Sequence, residues 1–139
     1  MKVFEMSAPA LALLLVAVGC AGGCAGGRPA SASSGVWTLA VGKAVALPEE
    51  GTVVLDKVDD SRCPIGVVCV WEGDATAHLT FRGGGAPDES VALSLGARST
   101  GAARGLELRL VAVEPVPREG TQIDPDAYRA TVEWRRPSP

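Results

Sequence analysis

From Ala75 to Phe81 the chain alternates without a break, with Ala75, Ala77, Leu79 and Phe81 on one side and Thr76, His78 and Thr80 on the other, continuing to Arg82. A period of two is that of a β-strand with one dry and one wet face. The same alternation sets Leu106, Leu108 and Leu110 against Glu107 and Arg109, and Tyr128, Ala130, Val132 and Trp134 against Arg129, Thr131, Glu133 and Arg135. Shorter apolar stretches predict further strands over 36–41, 44–47, 52–58, 67–71 and 89–95, with almost no helix in the domain. Turn chemistry separates them: RGGGAPDE reads as a hairpin loop and GARSTGAARG as a longer flexible one. Seven or eight short strands at this spacing predict an all-β fold, an antiparallel β-sandwich or small barrel.

The N-terminal pattern is of another kind. An apolar run from Ala8 to Val18 follows Lys2 and ends in small residues and a cysteine. It is short for a membrane span and is followed by glycine rather than by a basic cluster, so residues 1–19 read as an export signal. The run ends AVGC, which resembles the lipobox of bacterial lipoproteins and makes Cys20 the candidate for lipidation, with Cys24 as the alternative. Ala17 departs from that pattern, which prefers leucine there, and Cys24 would be left without a partner if Cys20 is acylated. Apart from Cys20 and Cys24, residues 20–35 are Gly, Ala, Ser, Arg and Pro without apolar periodicity, the composition of a tether. The β domain is expected over 36–136.

Composition sharpens this picture in two places. The net charge is −3, with the basic residues scattered along the chain, which argues against a nucleic-acid partner. Only 4% of residues are aromatic and 17 are glycine, so the core must be built mainly of Val, Leu and Ala and would gain from a covalent staple. Cys63 and Cys69 supply a candidate for it. In an oxidising compartment two cysteines this close, with Pro64 and Gly66 between them, are expected to form a disulfide. Closing such a loop is worth roughly 2 kcal/mol on the chain-entropy scale. The alternatives are a metal site, for which the spacing is wide and His78 is the sole histidine, and a redox pair, which has two residues between its cysteines.

Around the clasp, Asp59, Asp60, Glu72 and Asp74 are a conceivable calcium shell, but aspartates before a turn also accept backbone N–H groups, and Arg62 can neutralise one of them. Trp71 and Gly73 read as a core aromatic beside a tight bend, with Trp71 buried next to the disulfide. The order of residues contains no nucleophile elbow, phosphate loop or dinucleotide fingerprint. His78 has no nucleophile or orienting partner identifiable in sequence. No catalytic residue, metal or cofactor is assigned.

DSRCPIGVVCVWEGDA, residues 60–75, resembles a motif of small bacterial lipoproteins and secreted proteins of unknown function, roughly Asp-Ser-Arg-Cys-Pro-x-x-Val-x-Cys-x-Trp-x-Gly-x-Ala. Asp60, Ser61, Arg62, Cys63, Pro64, Val67, Cys69, Trp71, Gly73 and Ala75 fall on it, and LVAVEPVP followed by YRATVEW is similar to the C-terminal strands of the same family. The resemblance implies location and fold, with no reaction attached. The expected function is therefore a non-enzymatic, lipid-anchored β domain of the cell envelope, at the periplasmic face or cell surface, that binds or supports. Its membrane partner is reached through the N-terminal lipid. The alternatives are an extracytoplasmic carboxylate-dependent hydrolase and a metal-binding envelope protein.

Changing Cys20 to serine is expected to release the protein from membranes or leave it unprocessed, as read by membrane fractionation and fatty-acid labelling. Unchanged acylation in that variant would move the assignment to Cys24.

Overall fold

The structure is a computed structural model, and it describes residues 33–138. The expected signal peptide, both lipidation candidates and the expected tether up to residue 32 lie outside the described residues.

Eight strands form in the order β1 (Ser34–Ala40), β2 (Ala44–Leu47), β3 (Gly51–Asp60), β4 (Ala75–Arg82), β5 (Glu89–Ser94), β6 (Thr100–Ala103), β7 (Leu106–Glu114) and β8 (Arg129–Arg135). A single 3-10 turn, Pro125–Ala127, precedes β8. The strands make two antiparallel four-stranded sheets, ordered β1-β8-β7-β6 and β2-β3-β4-β5. Their inner faces share one apolar core, so the domain is a small β-sandwich. Among the described residues no helix is long and apolar enough to cross a membrane.

Alternation generates the core directly. In β4 the buried residues are Ala75, Ala77, Leu79 and Phe81; in β8 they are Ala130 and Val132. Leu39 and Leu55 are also fully buried, and Trp37 stacks on Trp134 at 5.4 Å between ring centroids while meeting Phe81 at a tilt. Gly51 opens β3 at a φ of 97°, where a side chain would collide with the Arg82 carbonyl.

Two β-bulges reset the alternation, and neither was evident from the pattern. In β3 the pairing slips between Leu55 and Lys57, so that Val53 and Leu55 point inward before the bulge and Val58 and Asp60 after it. In β7 the slip between Leu110 and Ala112 turns Val113 inward and leaves Val111 outward. The bulge in β3 is what carries Asp60 onto the inner face, opposite Ala75.

Two expectations are corrected. Residues 67–71 are not a strand: their valines have strand propensity, but the segment lies in the loop between β3 and β4 with no neighbouring strand to supply a ladder. Conversely, part of the expected flexible loop forms β6, because Thr100–Ala103 pairs with the start of β7. Gly101 lies so close beneath Leu93 that a side chain there would clash.

Registers define two poles. Ala40, Arg129 and Glu114 lie side by side at one, together with the end of β3 and the start of β4. Ser34, Arg135 and Glu107 lie at the other, where the Ser33 carbonyl accepts from the Arg136 amide. The chain thus enters the sandwich at the pole opposite the disulfide loop.

Candidate functional site: the clasped loop

Residues 61–74 connect β3 to β4, and their base continues the hairpin in irregular form. The Ser61 amide donates to the Asp74 carbonyl at 2.8 Å, and the Cys63 amide to the Glu72 carbonyl at 2.8 Å. The Ser61 hydroxyl also donates to the Asp74 carbonyl and accepts from the Asp74 amide, at 3.0 and 3.1 Å. Gly73 permits this approach: its φ is 69°, and a Cβ there would sit 1.8 Å from the Ser61 carbonyl oxygen. Asp74 then turns the chain into β4, its carboxylate accepting from the Ala75 and Gly96 amides. Above this base Cys63 and Cys69 are joined by a disulfide, with their Cα atoms 5.9 Å apart, and the Val67 amide bonds the Pro64 carbonyl to make the turn.

Hydrogen bonds from a local ion pair fasten the loop to the opposite sheet. Arg62 grips Asp60 through Nε and one terminal nitrogen, at 2.8 and 2.6 Å, while its backbone amide donates to the same carboxylate. The guanidinium also donates to the carbonyls of Val113 and Pro115 at 2.8 and 2.9 Å. The Tyr128 hydroxyl, arriving from the segment before β8, donates to Asp60 at 3.1 Å. The Asp60 side chain is only 5% exposed and that of Arg62 15%. Burial pushes the Asp60 carboxyl upward, but the bonds from Arg62 and Tyr128 outweigh it and hold the group below the usual carboxylate range. The Asp60 carboxylate likewise raises Arg62, and burial followed by the bond to Asp60 raises Tyr128. Further out, the Ile65 amide donates to the Pro117 carbonyl and the Glu119 amide to the Ile65 carbonyl. The 115–119 segment, which follows a cis Glu114–Pro115 peptide, therefore braces the side of the loop.

What this frame holds up is apolar. Val68 is 99% exposed, Val70 91% and Trp71 82%, with Ile65 and Val67 exposed beside them. The expectation that Trp71 is buried next to the disulfide is wrong. A loop of about seven residues closed by a disulfide has no interior of its own, and the frame that ties Arg62 and Ile65 to the opposite sheet keeps the tip out of the core. Alternation between Cys69 and Trp71 carries no facial meaning outside a strand. The signal available in sequence was the unbroken apolar run VVCVW within a disulfide loop too small to bury it.

The conceivable calcium shell is dispersed by this geometry. Asp60 is taken by Arg62 and Tyr128, Asp74 by backbone amides, and Asp59 lies on the outer face with Lys57 at 2.8 Å and His78 at 2.7 Å. The Lys57 ammonium, then His78, keep the Asp59 carboxyl below its ordinary range against the opposing effect of desolvation. Among the described residues no group of three or more His, Cys, Asp or Glu side chains is placed to hold a metal ion.

A concavity of about 900 Å³ lies on the outer face of the β1-β8-β7-β6 sheet near the chain's entry. Its carboxylates are engaged, Glu133 by Arg109 at 3.7 Å and Glu107 by Arg135. A smaller groove on the other sheet holds Asp56, His78, Thr80 and Ser90, in which Thr80 donates to Asp56 at 2.6 Å and shares a bond with Ser90. Comparison with protein-family models, with curated proteins and with solved structures finds no match for this chain.

Two outcomes are expected. Asp60→Asn should cost about 3 kcal/mol at neutral pH, because it leaves a largely buried guanidinium without its counter-charge. Because Asp60 is depressed in the folded state, its contribution is present above its unfolded pKa of about 4 and fades as pH falls through the lower folded value. Urea titrations of the two proteins should therefore converge in strongly acidic buffer, and a constant gap across pH would remove the ion pair as the cause. Reducing the disulfide should lower stability by roughly 2 kcal/mol, whereas stability indifferent to reductant but lost to a chelator would reinstate a metal site.

Proposed function

We propose that this chain is a lipid-anchored, non-enzymatic binding domain of the cell envelope, acylated at Cys20 or alternatively Cys24, and that loop 65–71 is its binding element. The family resemblance belongs to the same reading: Asp60, Ser61, Arg62, Cys63, Cys69 and Gly73 form the frame, and Trp71 is what the frame presents.

One observation carries the proposal. Apolar side chains that sit fully in water are held there by a disulfide, a bidentate ion pair, a reciprocal serine–aspartate contact and a glycine bend. Ordering such a loop costs conformational entropy, and the order adds nothing to the core. Rigid presentation instead reduces what a partner must supply on association. Export into an oxidising compartment agrees with the disulfide. A hydrolase reading asks for two carboxylates free to act on a substrate, while those in the 900 Å³ concavity each carry an arginine.

Competitive growth of a deletion strain separates the classes. Complementation by the wild-type chain and by Asp56→Asn/Asp59→Asn, with failure of Val68→Ser/Val70→Ser/Trp71→Ser at equal protein level, is the expected outcome. The reverse pattern would promote the hydrolase.

A further inference from the structure

We propose that loop 65–71 is a protein-docking finger: Val68, Val70 and Trp71 insert into a concave apolar pocket of a partner protein that lies on the side of the domain away from its anchored N-terminal end. The inference rests on the envelope-binding reading above and identifies what is bound.

Three observations select a protein over the other occupants of an apolar tip. The first is direction. The chain enters at the Ser34 pole and the finger leaves from the opposite one, separated by a strand of about 30 Å. The residues between Cys20 and Ser33 can reach at most about 45 Å. To press the finger into the bilayer that holds the lipid, those residues would have to run back along the whole domain, about two-thirds of that maximum reach. Facing away from that bilayer needs no such extension.

Charge is the second. A loop that enters an anionic lipid surface gains from surrounding Lys and Arg. Within residues 61–74 the one cation, Arg62, is already neutralised by Asp60, while Glu72 adjoins Trp71; Glu119 lies beside Gly66, and the cations Arg118 and Arg129 stand on the flanking segments rather than in the loop. A protein pocket whose rim offers cations or N–H donors to Glu72 and Glu119 is the better match.

Area is the third. The exposed parts of Ile65, Val67, Val68, Val70 and Trp71 sum to something of order 600 Å², at the upper end of what a monomer exposes in one patch. Pairing tip to tip with a second copy would fall below the roughly 800 Å² per partner of a standard interface. A convex finger in a concave pocket is covered on its flanks as well, and an indole flanked by valines is the composition of an interface hot spot.

The test uses the full acylated chain in its own cells, with a photo-crosslinking residue at position 68 or 70 and, as control, at position 133 on the outer face of β8. Positions 68 and 70 are expected to give the same single protein adduct, position 133 none, and Trp71→Ala to abolish it without moving the thermal midpoint. Titration of that protein, once identified and purified, should show Trp71→Ala weakened about 30-fold and Glu133→Gln unchanged. An adduct of twice the chain's mass would assign the finger to a second copy. A blue shift of the wild type, absent from Trp71→Phe, on vesicles of equimolar phosphatidylcholine and phosphatidylglycerol would assign it to lipid. Either result overturns the proposal, as does an adduct pattern no different from position 133. Absent fatty-acid labelling at both Cys20 and Cys24 would instead remove the envelope reading while leaving the adduct in place, so the two failures are distinguishable.

Discussion

The bidentate contact between Arg62 and Asp60 is the constraint on which the disulfide-loop pole depends. A carboxylate buried on the inner face of a sandwich is costly unless it is paired and hydrogen-bonded. Asp60 is both: it accepts from Arg62 three times and from Tyr128 once. The guanidinium, with five donors in a planar fork, has bonds left for the carbonyls of Val113 and Pro115 on the other sheet. A lysine ammonium would satisfy the charge but lack the fork that grips Asp60 bidentately while still reaching both carbonyls. The arrangement begins with the bulge at Asp56, since without that one-residue slip Asp60 would face water and Arg62 would have nothing buried to hold.

The opposite pole uses the same device with the sheets exchanged. Arg104, in the turn between β6 and β7 at a φ of 52°, donates to the carbonyls of Gly83 and Pro87 in the β4–β5 turn at 2.8 and 2.9 Å. Each pole of the sandwich is therefore closed by an arginine from one sheet reaching backbone carbonyls of the other. The two closures differ in what they leave outside. At the Arg104 pole the turns are glycine-rich and polar; at the Arg62 pole the closure carries a loop whose exposed residues are valines and a tryptophan.

This difference also explains what was legible in the sequence. Strands β4, β7 and β8 followed from alternation because each buries one face, and alternation reports that one fact. The disulfide was legible because cysteine chemistry and compartment do not depend on the fold. Trp71 was misread because alternation was extended into a segment with no sheet around it, where aromatic character says nothing about direction. β6 was missed because TGAA has small side chains and earns its place by pairing with β7 and lying beneath Leu93, both tertiary facts. The role of Tyr128 was half visible: its position marked it as a core residue, while its hydroxyl bond to Asp60 spans residues far apart in sequence and required the β3 bulge.

An exposed apolar tip also has to be kept from collapsing onto its own domain. Burying an indole removes roughly 200 Å² from water, worth about 5 kcal/mol at 25 cal/mol per Å², so a loose loop of this composition would fold back over the nearest apolar surface. The ladder from Ser61 to Asp74, the bend at Gly73, the disulfide and the bracing from Ile65 to Pro117 and Glu119 forbid that return. The hydrophobic free energy of Trp71 is thus not released in folding. It remains available to a surface shaped to cover it, reduced by the cost of association but not by the cost of ordering the loop, which folding has already met.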